Sequence, residues 1–142
     1  MSKYKSHILI CGGTGCQSSK SSLLQINLEK ELANRALSKD VKVVQTGCFG
    51  FCEKGPIVNV LPDNTFYVEV KPEDALEIID EHIVKGRRVN RLLYVDPKNK
   101  EQIGNSKNID FYKKQLRIAL RNCGSIDPEN IEESIAHDAY QA

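Results

Sequence analysis

With 142 residues, 40% of them hydrophobic and 27% charged, the chain has enough material for one core and the composition of an ordinary globular protein. A formal charge of +1 gives no electrostatic reason to expect a nucleic-acid partner, and no apolar run approaches the ~20 residues that span a bilayer. Five cysteines, four of them in two close pairs, and a start at Met1-Ser2-Lys3-Tyr4-Lys5 that runs straight into a strand argue for a reducing, cytoplasmic setting and against a secreted disulfide scaffold.

The apolar stretch from Lys5 to Cys11 predicts a first strand. Ser18, Ser19 and Ser21 then offer helix caps, and Leu24, Leu28, Leu32 and Ala36 recur every fourth residue, predicting an amphipathic helix over 21–37. A second strand is expected over 41–46. Pro56 to Leu61, a turn at Pro62-Asp63-Asn64 and Thr65 to Val70 predict an antiparallel hairpin. Pro72, Glu73 and Asp74 fit a first helical turn, with Ala75, Leu76, Ile79 and Ile83 as one apolar face reaching about residue 85.

The order is thus βαβ followed by ββα, an α/β arrangement that matches a thioredoxin-like sandwich closing near residue 85. Residues 86–109 are polar and basic and read as a linker. Residues 110–142 then predict two short helices, one from Asp110 through Leu120 to Asn122-Cys123-Gly124 and one starting at Asp127-Pro128-Glu129. Such helices are too small to build a core, so their apolar positions are expected to face a neighbouring chain or domain.

Each cysteine pair follows a predicted strand. Cys11 and Cys16 enclose Gly12-Gly13-Thr14-Gly15, and Cys48 and Cys52 enclose Phe49-Gly50-Phe51. Four thiolates, two per iron, are what a [2Fe-2S] cluster takes, and loops rich in glycine let backbone N–H groups approach the sulfurs and set the reduction potential. Phe49 and Phe51 are placed to shield such a centre. Structural zinc is the runner-up, since it also accepts four thiolates, although its knuckles usually separate the cysteines by two residues. A zinc-stabilised or empty thioredoxin-like scaffold for subunit assembly follows from that reading. A redox dithiol would want Cys-x-x-Cys, which is absent.

Other residues take plainer readings. Cys123 reads as a free structural thiol, and His7, His82 and His137 as packing or surface residues without ligand spacing. Arg87, Arg88 and Arg91 read first as a solvated face and second as a docking patch for an acidic partner. The run Gly12 to Gly15 lacks the lysine of a phosphate loop.

The segments His7-Ile8-Leu9-Ile10-Cys11-Gly12-Gly13-Thr14-Gly15-Cys16 and Thr46-Gly47-Cys48-Phe49-Gly50-Phe51-Cys52-Glu53-Lys54-Gly55-Pro56 resemble the thioredoxin-like [2Fe-2S] ferredoxin family over residues 1–85. The run Gln115-Leu116-Arg117-Ile118-Ala119-Leu120-Arg121-Asn122-Cys123-Gly124-Ser125-Ile126-Asp127-Pro128 resembles the lead-in to the flavin-binding domain of complex I NADH-binding subunits. Together they resemble the flavoprotein (beta) subunits of soluble NAD(P)-linked, often electron-bifurcating, iron-only hydrogenases. The resemblance implies that Cys11, Cys16, Cys48 and Cys52 ligate a [2Fe-2S] cluster. It also implies that FMN and NAD(P) belong to a downstream domain absent here, and that the partners are other subunits of a hydrogenase or dehydrogenase complex. By itself the chain is then expected to carry electrons, with no catalytic residue of its own, and a homodimer is possible.

Overall fold

The computed structural model describes residues 4–141; the first three residues of the expected ferredoxin unit and the last residue of the expected tail lie outside them. Strand β1 (Ser6–Cys11) is buried along both faces because it lies inside a four-stranded mixed sheet of order β2-β1-β3-β4. It pairs in parallel with β2 (Val41–Thr46) and antiparallel with β3 (Val58–Leu61), which turns back into β4 (Thr65–Tyr67). The sheet is the α/β thioredoxin-like layout expected, with a C-terminal extension added.

The alternation of side chains along a strand divides the core in two. Ile8 and Ile10 join Val58, Val60, Leu24 and Leu28 on one face, while Leu9 and Cys11 join Val44, Phe66 and Ile109 on the other. The first face is covered by α2 (Ser21–Asn34), after the short α1 (Thr14–Ser18), and by a helical run over 72–84. Leu24, Leu28 and Leu32 form the expected stripe on α2. The helix stops short of residue 37, because Ala36 has turned to φ 56 and lies outside it. The helical run over 72–84 begins as a 3-10 turn, is α only at Ala75–Glu77 (α3), and continues as π-helix over Ile78–Val84. The wider π turn alters the apolar register. Ile78 and Ile79 are fully buried, whereas Leu76, assigned to the apolar face from the sequence, is exposed.

The second face is covered by residues read as linker and tail. Tyr67 bridges to Leu93 and Thr65 to Asn105, and Val68 N–H donates to the Leu92 carbonyl at 2.9 Å, so residues 86–109 run along the free edge of β4. Val89, Leu92 and Leu93 are buried in this segment but join the first core with Ile8 and Leu24, whereas Ile109, with the half-buried Tyr94, Ile103 and Tyr112, packs on the second face. The segment contains a small hairpin of β5 (Tyr94–Val95) and β6 (Gln102–Ile103). Pairing satisfies an edge that would otherwise present open backbone groups. In the tail the helices are shorter than expected, α4 being Asp110–Lys113 and α5 Ile131–Ala136. Leu116, Ile118 and Leu120 lie between them, outside any helix and exposed.

Candidate metal centre

The parallel pairing of β1 and β2 sets Cys11 opposite Thr46, so the loops leaving both strands emerge at one edge of the sheet. Gly12 N–H continues the ladder to the Thr46 carbonyl at 2.9 Å, and Cys11 N–H bonds the Ile57 carbonyl at 3.1 Å, which brings the chain after Cys52 to the same end. All four expected ligands therefore collect in one place. Cys11 ends β1, Cys16 sits on α1, Cys48 follows β2, and Cys52 opens the 3-10 turn Cys52–Lys54.

The four thiols differ in surroundings. Cys11 and Cys16 are buried and Cys48 and Cys52 exposed, so one pair faces the core and the other the surface. The sulfurs of Cys48 and Cys52 are 3.7 Å apart, and Gly50 N–H donates to Cys48 Sγ at 3.2 Å. Burial, with the adjoining Cys11 thiol, pushes Cys16 up to about 12, and the Cys48 thiol raises Cys52. Neutral thiols at this spacing must lose protons to a metal before they bind it.

The residues fit a four-thiolate cluster. A Cβ at Gly13 would lie 3.1 Å from Cys48 Sγ and 3.5 Å from Cys11 Sγ, filling the space between the two pairs. A Cβ at Gly55 would lie 2.6 Å from Cys16 Sγ. Hydrogens at these positions leave a cradle lined by sulfur. Among the described residues no three His, Cys, Asp or Glu side chains gather closely enough to hold a single metal ion.

The aromatic residues of the second loop pack against the rest of the protein. Phe49 is buried edge-on to Phe66, with ring centroids 5.8 Å apart, and Phe51 stacks on Phe111 at 5.1 Å. The extension closes over this loop. Tyr112 Oη donates to the Phe49 carbonyl at 2.9 Å, Arg117 Nη2 donates to the same oxygen at 2.6 Å, and Gly124 N–H donates to Thr46 Oγ1 at 3.1 Å. Cys123 Sγ donates to the Cys48 carbonyl at 3.4 Å, which places this thiol beside the loop. Farther along, buried Asp127 pairs with Lys42 of β2; burial is the largest single influence and opposes ionisation, but the Lys42 hydrogen bond, the Glu129 N–H and the lysine's charge together hold the carboxyl below its ordinary value. None of the extension's hydrogen bonds, nor its Asp127–Lys42 pair, has a local sequence signature, because each joins residues more than 60 positions apart.

The three arginines of the basic run are engaged by acids. Arg87 meets Glu81 at 2.7 Å, Arg88 lies 3.9 Å from Asp63, and Arg91 bonds Asp74 at 2.7 Å and also Glu77. His82 is a buried packing residue: Tyr67 Oη donates to its Nδ1 at 2.7 Å and its Nε2–H donates to Asp63 at 3.1 Å.

Residues 2–82 match the thioredoxin-like [2Fe-2S] ferredoxin family. A 2Fe-2S ferredoxin of Clostridium pasteurianum is 38% identical over 96 residues, covering 62% of this chain and 94% of that protein. One of Aquifex aeolicus is 32% identical over 102 residues, covering 66% and 91%. The crystal structure of the wild-type thioredoxin-like [2Fe-2S] ferredoxin from Aquifex aeolicus superposes with a TM-score of 0.58 at 30% identity, covering 63% of this chain and 95% of that one. A stretch of 29 residues is 66% identical to the NADP-reducing hydrogenase subunit HndC of Solidesulfovibrio fructosivorans, covering 20% of this chain and 6% of that subunit. No described helix is long and apolar enough to cross a membrane.

Proposed function

The chain belongs to the thioredoxin-like [2Fe-2S] ferredoxin family, electron carriers whose cofactor is a [2Fe-2S] cluster, and on that premise we propose that Cys11, Cys16, Cys48 and Cys52 hold the cluster. The observation that carries this reading is the convergence of two cysteine-bearing loops on one sheet edge, with hydrogens in place of side chains between the sulfurs. When bound, the cluster accepts and returns one electron at a time.

The chain's own groups prepare the site. The sheet edge holds Cys11 and α1 holds Cys16, both buried, and the exposed pair would bring the opposite side of the centre to the surface, where an electron crosses the shortest distance to a partner. Gly50 N–H donates to Cys48 Sγ, a backbone donor of the kind that tunes a thiolate-held centre.

In the finer reading the chain serves an NAD(P)-linked hydrogenase or dehydrogenase as an electron-carrying unit beside a flavin-bearing one. The short similarity to a hydrogenase subunit supports this, as do the exposed Leu116, Ile118, Ile131 and Ile135, which offer apolar area to a neighbour. FMN and NAD(P) would be bound by that neighbour.

Anaerobic purification followed by iron, sulfide and zinc analysis, with electron paramagnetic resonance after dithionite reduction, tests the ligand set. About two irons and two sulfides per chain, lost on Cys48→Ala, are expected. Stoichiometric zinc without a reducible signal after reconstitution would replace the carrier with a scaffold.

A further inference from the structure

Two side chains of the extension act on one peptide group of the cysteine loop. Phe49 C=O and Gly50 N–H belong to the same amide: its oxygen accepts from Tyr112 Oη at 2.9 Å and from Arg117 Nη2 at 2.6 Å, while its N–H donates to Cys48 Sγ at 3.2 Å. Hydrogen bonds accepted by an amide oxygen polarise the amide and strengthen the bond its N–H gives. A charged donor does so most. The guanidinium lies over the Tyr112 ring, 5.0 Å from its centroid, so each donor holds the other in place, and the ring is fixed edge-on to Phe66 at 5.8 Å. Among the described residues Arg117 makes no ion pair with a carboxylate, so its charge is directed at this carbonyl without an acid to neutralise it.

We infer that Arg117 and Tyr112 are positioning residues for the electron-carrying centre, clamping the Phe49–Gly50 peptide so that its N–H faces Cys48 Sγ and the reduction potential is raised. Reduction adds one negative charge to the centre, and a polarised N–H together with a nearby cation stabilises the reduced form more than the oxidised one. The inference rests on the assignment of Cys48 as a ligand. Both residues come from the extension, outside the four-stranded core.

The test is a potentiometric titration of the cluster-loaded chain, followed by visible absorption and electron paramagnetic resonance, for the parent and for R117Q, R117K, Y112F and R121Q. R117Q is expected to lower the reduced-to-oxidised ratio at a given applied potential by about three- to tenfold, tenfold being ~59 mV for one electron. R117K should recover part of the shift, and Y112F should show a smaller one in the same direction. R121Q should leave the potential at the parental value, since Arg121 shares the groove beside Phe49 without bonding the carbonyl. An R117Q potential equal to the parent's overturns the inference, and so does an R121Q shift as large as that of R117Q. If R117Q does not load, a Y112F potential equal to the parent's overturns it. A parent that takes up no iron or sulfide defeats the ligand assignment instead.

Discussion

Replacing Gly55 with alanine probes how firmly the buried half of the site is held. The backbone there is ordinary extended chain, φ −75 and ψ 163, so alanine costs nothing in conformation and the whole effect is steric. Its Cβ would lie 2.6 Å from Cys16 Sγ and 3.3 Å from the Cys52 carbonyl. The first distance is roughly 1 Å inside normal contact. Cys16 cannot swing away, because it is fully buried in a cluster with Leu9, Phe49 and Ile57. Overpacking of this kind costs about 1–3 kcal/mol. Urea unfolding of the cluster-free chain by circular dichroism should show that loss with an unchanged m value, and iron and sulfide per loaded chain should fall as the Cys16 sulfur is displaced. Gly86→Ala is the control: at φ +66, with no atom within 4 Å of the added carbon, it should cost about 1–2 kcal/mol of backbone strain and leave iron content alone. Parental stability and parental iron in Gly55→Ala, or equal iron loss in Gly86→Ala, would refute the reasoning.

Gly124→Ala combines φ +77 with a Cβ 2.2 Å from Phe49 Cε1, so the extension should lose about 2–5 kcal/mol of docking and be cut faster by protease within residues 114–130; unchanged cleavage would count against the docked tail. Cys123→Ser should keep the full complement of iron and sulfide, because Cys123 touches the Cys48 backbone and is not among the four proposed ligands; measured loss of either would make it a ligand. His82 supplies a pH test. Burial lowers its pKa below the ordinary value near 6.5, with Asp63 opposing in part, and protonating Nδ1 would leave the Tyr67 hydroxyl hydrogen without its acceptor. The unfolded chain therefore binds the proton first, so stability is complete above about pH 6.5 and declines as pH falls toward the folded-state pKa. Urea midpoints from pH 7.5 to 5 should fall in the parent and fall less in His82→Gln; parallel slopes would remove His82 as the cause.

What the sequence by itself determined is local and periodic. The apolar run ending in Cys11, the four-residue repeat of Leu24, Leu28 and Leu32, and the hairpin around Pro62-Asp63-Asn64 each carry their structure in a few neighbouring residues, and the spacing of the two cysteine pairs points to thiolate metal binding, iron–sulfur first and zinc second. The cradle was legible as thiols beside glycines, although only the fold shows Gly13 between Cys11 and Cys48 and Gly55 against Cys16. The sequence reading left the second face of the sheet bare. Val89, Leu92, Leu93 and Ile109 are sparse apolar residues with no period inside a polar, basic stretch; the first three acquire meaning only when β4 offers an unpaired edge beside the first core, and Ile109 only when Phe66 offers an uncovered second face. Likewise, nothing near Arg87, Arg88 or Arg91 in the sequence reveals all of the acids that engage them, and nothing near Arg117 points to a carbonyl 68 residues earlier. Tertiary structure decided these matters because a hydrogen bond or a buried contact between distant segments depends on where the chain returns, which local periodicity does not encode.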